Sequence, residues 1–141
     1  MSIQAVLLPL FVQVTLTFVL LCWTAYLRNR ALMSDGVRPR DIALREPNWP
    51  PQATQVANAF HNQLELPLLF YVLTILAWIT RHADPIFVAM TWLFVALRLV
   101  HAYIHATDNV VRRRGAVFIL SALVLALMWA IFMVRILLGL G

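Results

Sequence analysis

The sequence predicts an all-α integral membrane protein, a four-helix bundle with up-down topology. Hydrophobic residues make up 62% of the chain and charged residues only 12%, whereas soluble domains are closer to half apolar and a quarter charged. The mean hydropathy is +0.82. Four apolar runs each reach the roughly 20 residues with which a helix crosses about 30 Å of hydrocarbon. These observations exclude an ordinary soluble enzyme and a disordered chain.

The four apolar runs form a single transmembrane domain that covers residues 1–141. Its helices are predicted at about 3–27, 52–80, 85–110 and 116–138. The first run is not expected to be a cleavable signal peptide, because no basic residue precedes it and its apolar stretch is too long. Pro50 and Pro51 favour the start of the second helix, since proline cannot continue a preceding one. The turn 81–85 is so short that the second and third helices must be antiparallel neighbours.

All 11 basic residues are arginines, and most of them lie in two loops. The first loop carries Arg28, Arg30, Arg38, Arg40 and Arg45, and the third carries Arg112, Arg113 and Arg114. The positive-inside rule places both loops in the cytoplasm and both termini outside. Arginines in this arrangement are topology signals, so no nucleic acid is expected as a partner. Arginine without lysine is typical of a GC-rich bacterial genome, so we expect a multi-pass protein of the bacterial inner membrane.

The single cysteine, Cys22, lies inside the first apolar run. An internal disulfide is therefore impossible, and no metal site is predicted. We expect Cys22 to be a small buried hydrophobic residue.

Polar residues inside the second run fall on one face of its helix. Their spacings of three and four residues place them in one stripe, which comprises Gln55, Asn58, His61, Asn62 and Glu65. Glu65 is the only carboxylate deep in any span. A charge at the bilayer centre costs about 2.5–3.5 kcal/mol, so it faces protein or water and usually has a partner. Pro67 is expected to bend the helix just after this glutamate.

The third run carries a second polar stripe, formed by Arg98, His101, His105 and, if the helix continues that far, Arg112. Mirrored about the short turn, Glu65 and Arg98 differ by only about 3 Å in depth, so we expect them to pair. The two stripes then form one polar cleft that runs from mid-membrane to the cytoplasmic face, with residues 112–114 at its mouth. A single ion pair would be explained by packing between the two helices. The two polar stripes together with the arginines at 112–114 favour a ligand site instead.

Two segments carry a resemblance to a known family. Residues 62–70, NQLELPLLF, resemble the second-helix motif of the MAPEG superfamily, the membrane-associated proteins in eicosanoid and glutathione metabolism. Residues 98–105, RLVHAYIH, are similar to the third-helix signature of that family, and residues 112–114 match the basic cluster that follows it. The resemblance covers essentially the whole chain and is closest in kind to a bacterial-type member.

The resemblance implies a homotrimer that binds glutathione as co-substrate between neighbouring subunits, near the cytoplasmic side. The implied activity is that of a glutathione transferase or peroxidase, whose lipophilic electrophile or lipid hydroperoxide enters from the membrane lipid. Arg112 and Arg114 are the catalytic candidates, because an arginine beside the thiol of glutathione favours its thiolate. The ligand-binding candidates are Asn58, His61, Asn62, Glu65, Arg98, His101, His105 and Arg113.

Two departures from the family pattern keep other functions open. Asn58 stands where the family usually has an arginine, and His105 stands where it has a tyrosine. The first alternative is a non-catalytic MAPEG-like membrane protein that binds another ligand or a lipid. The second is a small four-span transporter, although such exporters usually carry their glutamate in the first helix, which has no acid here.

Overall fold

The computed structural model describes residues 1–44 and 48–140. Its helices are α1 (Ile3–Ser34), α2 (Pro51–Asn62), α3 (Leu66–Ile79), α4 (Pro85–Ala106) and α5 (Val111–Leu137), with a short 3₁₀ helix at Pro39–Ile42. The helices α2 and α3 follow one another along the same span, so four segments are long and apolar enough to cross a membrane. Within the described ranges the chain is helical with no strand. The predicted all-α four-helix membrane bundle is confirmed.

The bundle has two ends of different chemistry. The terminal end holds Met1, the turn between α3 and α4, and the end of α5. The arginine-rich end holds the segment between α1 and α2 and the turn between α4 and α5. An apolar core lies between the helices, and many large apolar side chains, including Phe18 and Ile79, point outward. An apolar outer surface of this extent suits contact with lipid tails.

The first helix is longer than the hydropathy predicts, because it continues from residue 27 to Ser34. The extra turns carry Ala31 into the bundle, where its side chain is fully buried. Packing therefore extends the helix beyond the apolar run. Cys22 lies on the opposite surface of this helix and is exposed, so the expectation that it is buried was wrong. Arg45 lies outside the described residues.

The turn between α4 and α5 comes earlier than predicted. The helix α4 ends at Ala106 rather than near residue 110, and α5 begins at Val111 rather than near residue 116. Asn109 ends the first of these helices with a left-handed backbone, φ 53°, and its N–H donates to the carbonyl of Ile104 at 2.8 Å. Arg112 therefore belongs to α5, and the expected continuation of the third-helix stripe to Arg112 was wrong.

The second span is broken, not merely bent. Its helix stops at Asn62 and resumes at Leu66. Pro67 has no N–H, so the carbonyl of Gln63 loses its helical donor. The N–H groups of the preceding residues donate three rather than four residues back. Gln63 donates to the carbonyl of Phe60 at 2.9 Å, and Leu64 donates to the carbonyl of His61 at 3.0 Å. Residues 63–65 between the two helices therefore do not follow helical spacing.

The terminal end of the bundle is closed by polar contacts. Asp84 caps α4 by accepting a hydrogen bond from the N–H of Phe87 at 2.8 Å. Its other oxygen lies 2.6 Å from Nη1 of Arg135 on α5. His82 in the turn lies 3.0 Å, through Nε2, from the carbonyl oxygen of Leu140. The end of α5 is thereby tied to the start of α4.

Candidate functional site

The guanidinium of Arg98 lies at the centre of a buried polar cluster. Its side chain is 0% exposed. Nη2 donates to the side-chain oxygen of Asn62 at 2.5 Å, and it lies 3.3 Å from both the carbonyl of Asn62 and Oε1 of Gln63. Nε and Nη1 are buried without a hydrogen-bond partner. The cluster therefore offers more donors than the subunit itself satisfies.

The expected ion pair between Glu65 and Arg98 was wrong. Glu65 is exposed on the surface of the subunit, and among the described ion pairs no cation lies within 4.0 Å of its carboxylate. The expectation that Glu65 and Arg98 lie at similar depths in the membrane requires a continuous helix from residue 52 to residue 80. Because the helix breaks before Glu65, the carboxylate turns outward and Asn62 takes its place beside Arg98.

Two buried glutamines complete the cluster, and sequence reasoning missed both. Nε2 of Gln13, on α1, donates to Oε1 of Gln63 at 3.0 Å. Gln63 in turn donates through Nε2 to the carbonyl of Ala59 at 3.0 Å. The exposed fractions of Gln13 and Gln63 are 0% and 1%. The available signal was an uncharged amide deep in an otherwise apolar span, since such a group needs a partner.

A cleft of about 340 Å³ opens beside this cluster toward the arginine-rich end. The residues that line it are Asn62, His101, His105, Arg114, Gly115, Phe118 and Ile119. Four of the predicted site residues, Asn62, His101, His105 and Arg114, are thus brought together. Phe118 connects the cleft to the buried cluster, because its ring lies 5.9 Å from the guanidinium carbon of Arg98.

The two histidines form one wall of the cleft. His101 and His105 are both buried, and their ring centroids lie 5.6 Å apart in an edge-to-face arrangement. Nδ1 of each ring is buried without a hydrogen-bond partner. A neutral imidazole has one donor and one acceptor nitrogen, so each ring has one hydrogen-bonding group that the subunit leaves unmet.

The basic cluster at residues 112–114 sends one side chain to the cleft. Arg114 is half-buried and donates through Nη1 to the side-chain oxygen of Asn109. Arg112 and Arg113 are exposed and are not among the cleft residues. Nη1 of Arg113 lies 4.0 Å from Oδ2 of Asp108, in the turn. Of the two catalytic candidates, Arg114 is the one beside the cleft.

Three predicted site residues lie on a separate surface of the subunit. Asn58, His61 and Glu65 are all exposed, on α2 and in the break that follows it. None of them lines the cleft beside Arg114. This set is called the polar face below.

The cleft can bind a ligand that is polar at one end and apolar at the other. Arg114 offers hydrogen bonds and positive charge, the two neutral histidine rings add polar groups, and Phe118 and Ile119 offer an apolar surface. Among the described residues, no group of three or more His, Cys, Asp or Glu side chains is placed to hold a metal ion. The arrangement suits an anionic or dipolar organic molecule.

Comparison with known proteins identifies the family. The model of the MAPEG family matches residues 6–134. The search of curated proteins found no match, and neither did the search of solved structures. The matched range contains α2, α3 and α4 in full, most of α1 and α5, and every residue that lines the cleft. The protein is therefore a multi-pass membrane protein that belongs to the MAPEG family.

Proposed function

We propose that the protein is a glutathione-dependent transferase or peroxidase that acts on lipophilic electrophiles or lipid hydroperoxides. The observation that carries the proposal is the cleft of about 340 Å³ in which Arg114 faces two buried histidines. Family membership supports it as well, because the MAPEG resemblance implies glutathione chemistry. The arginine-rich end would face the cytoplasm of a bacterial inner membrane, as the positive-inside rule expects.

The cleft would lie between subunits of a homotrimer. The polar face presents Asn58, His61 and Glu65 to the outside of one subunit, within a segment apolar enough to span the membrane. Contact of these groups with lipid tails would be costly, since a charge at mid-membrane costs about 2.5–3.5 kcal/mol. A second copy that laid its cleft against the polar face would remove this cost and would give each site residues from two subunits.

Glutathione has groups that complement both surfaces. Its two carboxylates can accept hydrogen bonds from arginine, and its ammonium group can pair with Glu65 of the polar face. Its thiol has an ordinary pKa of about 8.5, so a nearby cation favours the thiolate that attacks. Arg114 would supply that cation, because it lines the cleft, whereas Arg112 and Arg113 are exposed and do not line it.

Two reactions are available to a thiolate held in this way. In transfer, the sulfur forms a bond to an electrophilic carbon, and the leaving group departs with the bonding electron pair. In peroxide reduction, the sulfur attacks one oxygen of the hydroperoxide, the O–O bond breaks and the lipid leaves as its alcohol. A second glutathione then displaces water from the sulfenic acid and forms the disulfide.

A second candidate is a MAPEG protein without catalysis that binds another ligand or a lipid. The observation that favours it is Asn58, which is exposed on the polar face where the family pattern has an arginine. The substitution removes one cation from the proposed contact with the glutathione carboxylates. His105 replaces the expected tyrosine within the cleft.

The test is glutathione binding to the purified trimer or detergent-solubilised protein, measured by equilibrium dialysis. Arg114→Gln removes the cation from the cleft, and Arg40→Gln removes an exposed arginine from the first loop as the matched control. We expect saturable binding in the millimolar range, a Kd at least about tenfold higher in Arg114→Gln, and no change in Arg40→Gln. The glutathione-bound protein is then assayed for transfer with an aryl halide and for peroxide reduction with cumene hydroperoxide. Folded protein without saturable binding would favour the second candidate.

A further inference from the structure

The break between α2 and α3 leaves backbone groups that need other partners. It falls inside the second span, where no water is available to lipid-facing backbone groups. In a continuous helix the carbonyl of Ala59 would accept from the N–H of Gln63. That N–H instead donates to Phe60 at 2.9 Å. The carbonyl of Ala59 is thereby released within the membrane.

The side chain of Gln63 replaces the hydrogen bond that its own backbone gives up. Nε2 donates to the carbonyl of Ala59 at 3.0 Å. The carbonyl of Asn62, which receives only a 3.5 Å bond from the N–H of Glu65, has Nη2 of Arg98 at 3.3 Å. Side chains from the break and from α4 therefore complete the backbone hydrogen bonding at the end of α2.

Gln63 is also held from both sides. Its Oε1 accepts from Nε2 of Gln13 at 3.0 Å and lies 3.3 Å from Nη2 of Arg98. These side chains come from α1 and α4, on either side of the break, and all three residues are fully buried. Hydrogen bonds are stronger in such a low-dielectric interior than at a surface. One amide thus joins three spans at the depth of the break.

We propose that Gln63 is the positioning residue of the site: held by Gln13 and Arg98, it fixes the break that turns Asn62 toward the cleft and Glu65 toward the polar face. Asn62 lines the cleft and Glu65 is exposed three residues later. A continuous helix would place both on one stripe. The effect of Gln63 on ligand binding rests on the proposed glutathione site. Its effect on the geometry of the break does not.

Three substitutions separate the parts of this arrangement. Gln63→Leu removes the acceptor for Gln13 and Arg98 together with the donor to Ala59. Gln63→Glu keeps an acceptor for Gln13 and Arg98, removes the donor to Ala59, and adds a negative charge beside Arg98. Gln13→Leu removes the tie to α1 and leaves Gln63 beside Arg98. The matched control is Thr74→Val, since Thr74 is fully buried on α3 and its hydroxyl donates to the carbonyl of Phe70 in its own helix.

The first readout is hydrogen exchange of the amides of residues 60–66 in the ligand-free protein, after the oligomeric state of each variant has been matched to the wild type. We expect Gln63→Leu to speed this exchange by about tenfold, with Gln63→Glu and Gln13→Leu between it and the wild type. Thr74→Val is expected to match the wild type in this segment. Equal exchange in Gln63→Leu and Thr74→Val would overturn the proposal. If Gln63→Leu does not fold, Gln63→Glu and Gln13→Leu decide it by the same comparison.

The second readout is the Kd for glutathione in the same variants. We expect a rise of about tenfold in Gln63→Leu, partial rescue by Gln63→Glu, and no change in Thr74→Val. Faster exchange with an unchanged Kd would overturn the positioning role and leave Gln63 a structural residue. If the wild type binds no glutathione, the proposed function fails, while the exchange rates still decide whether Gln63 fixes the break.

Discussion

Nη2 of Arg98 lies 2.5 Å from Oδ1 of Asn62, and this contact joins the two polar stripes of the bundle. Asn62 is the last residue of α2, and Arg98 lies in the middle of α4. The arginine is fully buried without an acid within 4.0 Å among the described ion pairs. Its direct hydrogen-bond acceptors are therefore amide and carbonyl oxygens rather than a carboxylate.

Replacement of Arg98 by leucine is expected to destabilise the bundle. Arg98→Leu would take the donor from Oδ1 of the half-buried Asn62 and one of two donors from the buried Oε1 of Gln63. Because lost hydrogen bonds to a charged group cost about 1.5–3 kcal/mol, we expect the free energy of unfolding to fall by about that amount. Thermal or denaturant unfolding in detergent measures it, with Arg40→Leu in the first loop as an exposed control. Equal stability of Arg98→Leu and wild type would contradict this assignment.

Apolar patterning predicted the four spans well, because span length and a short turn are properties of the local sequence. The cleft was also predicted in part, since Arg98, His101 and His105 share a face of one unbroken helix. The break was not predictable from Pro67 alone. Whether a proline bends or breaks a helix in a membrane depends on which groups satisfy the released carbonyls. Here Gln63 itself bonds the carbonyl of Ala59, and Arg98, which is distant in sequence, bonds the carbonyl of Asn62.

The position of the turn between α4 and α5 was mispredicted for a similar reason. Hydropathy does not reveal a left-handed residue, and Asn109 adopts φ 53° at a position that the apolar pattern leaves ambiguous. Arg114 would have pointed elsewhere on a longer α4. Its place beside the cleft follows from the early start of α5 and from the acceptor that Asn109 offers.

Asn109 is expected to hold Arg114 in place through its side chain. Asn109→Gly keeps a residue that adopts positive φ readily but removes the acceptor for the arginine, whereas Asn109→Ala also introduces backbone strain of about 1–2 kcal/mol. We expect the glycine variant to unfold near the wild-type temperature and to bind glutathione several-fold more weakly. The alanine variant should lose both stability and binding. Wild-type affinity in Asn109→Gly would show that Arg114 needs no such support.

The ion pair between Asp84 and Arg135 predicts that the stability of the protein decreases at acid pH. Burial raises the pKa of Asp84, but the hydrogen bond from Phe87 and the neighbouring Arg135 outweigh it, so the pKa lies below its ordinary value. A carboxylate with a lowered folded-state pKa contributes stability above its unfolded pKa, and the contribution is lost as the pH falls through the folded value. We therefore expect the melting temperature to drop as the pH falls below about 4.

Asp84→Asn isolates that contribution, because the amide cannot ionise. The difference in melting temperature between wild type and Asp84→Asn should be largest near neutral pH and should shrink in acid. Asp108→Asn is the control, since its carboxylate is exposed and lies 4.0 Å from Arg113. A difference close to zero at every pH would mean that Asp84 acts only as a helix cap, because asparagine caps a helix about as well as aspartate.

The sign of the stability change in Glu65→Leu distinguishes lipid from protein as the neighbour of the exposed carboxylate. If Glu65 faced lipid, Glu65→Leu would stabilise the protein, by up to the roughly 2.5–3.5 kcal/mol that a charge costs at mid-membrane. In the proposed trimer the same change places an apolar side chain opposite polar groups of the neighbouring cleft. We therefore expect Glu65→Leu to lower the melting temperature and to weaken trimers, as measured by light scattering after size-exclusion chromatography. Ile79→Ala is the control, because Ile79 is an exposed apolar residue at the far end of α3. A stabilised, monomeric Glu65→Leu protein would contradict a site shared between subunits.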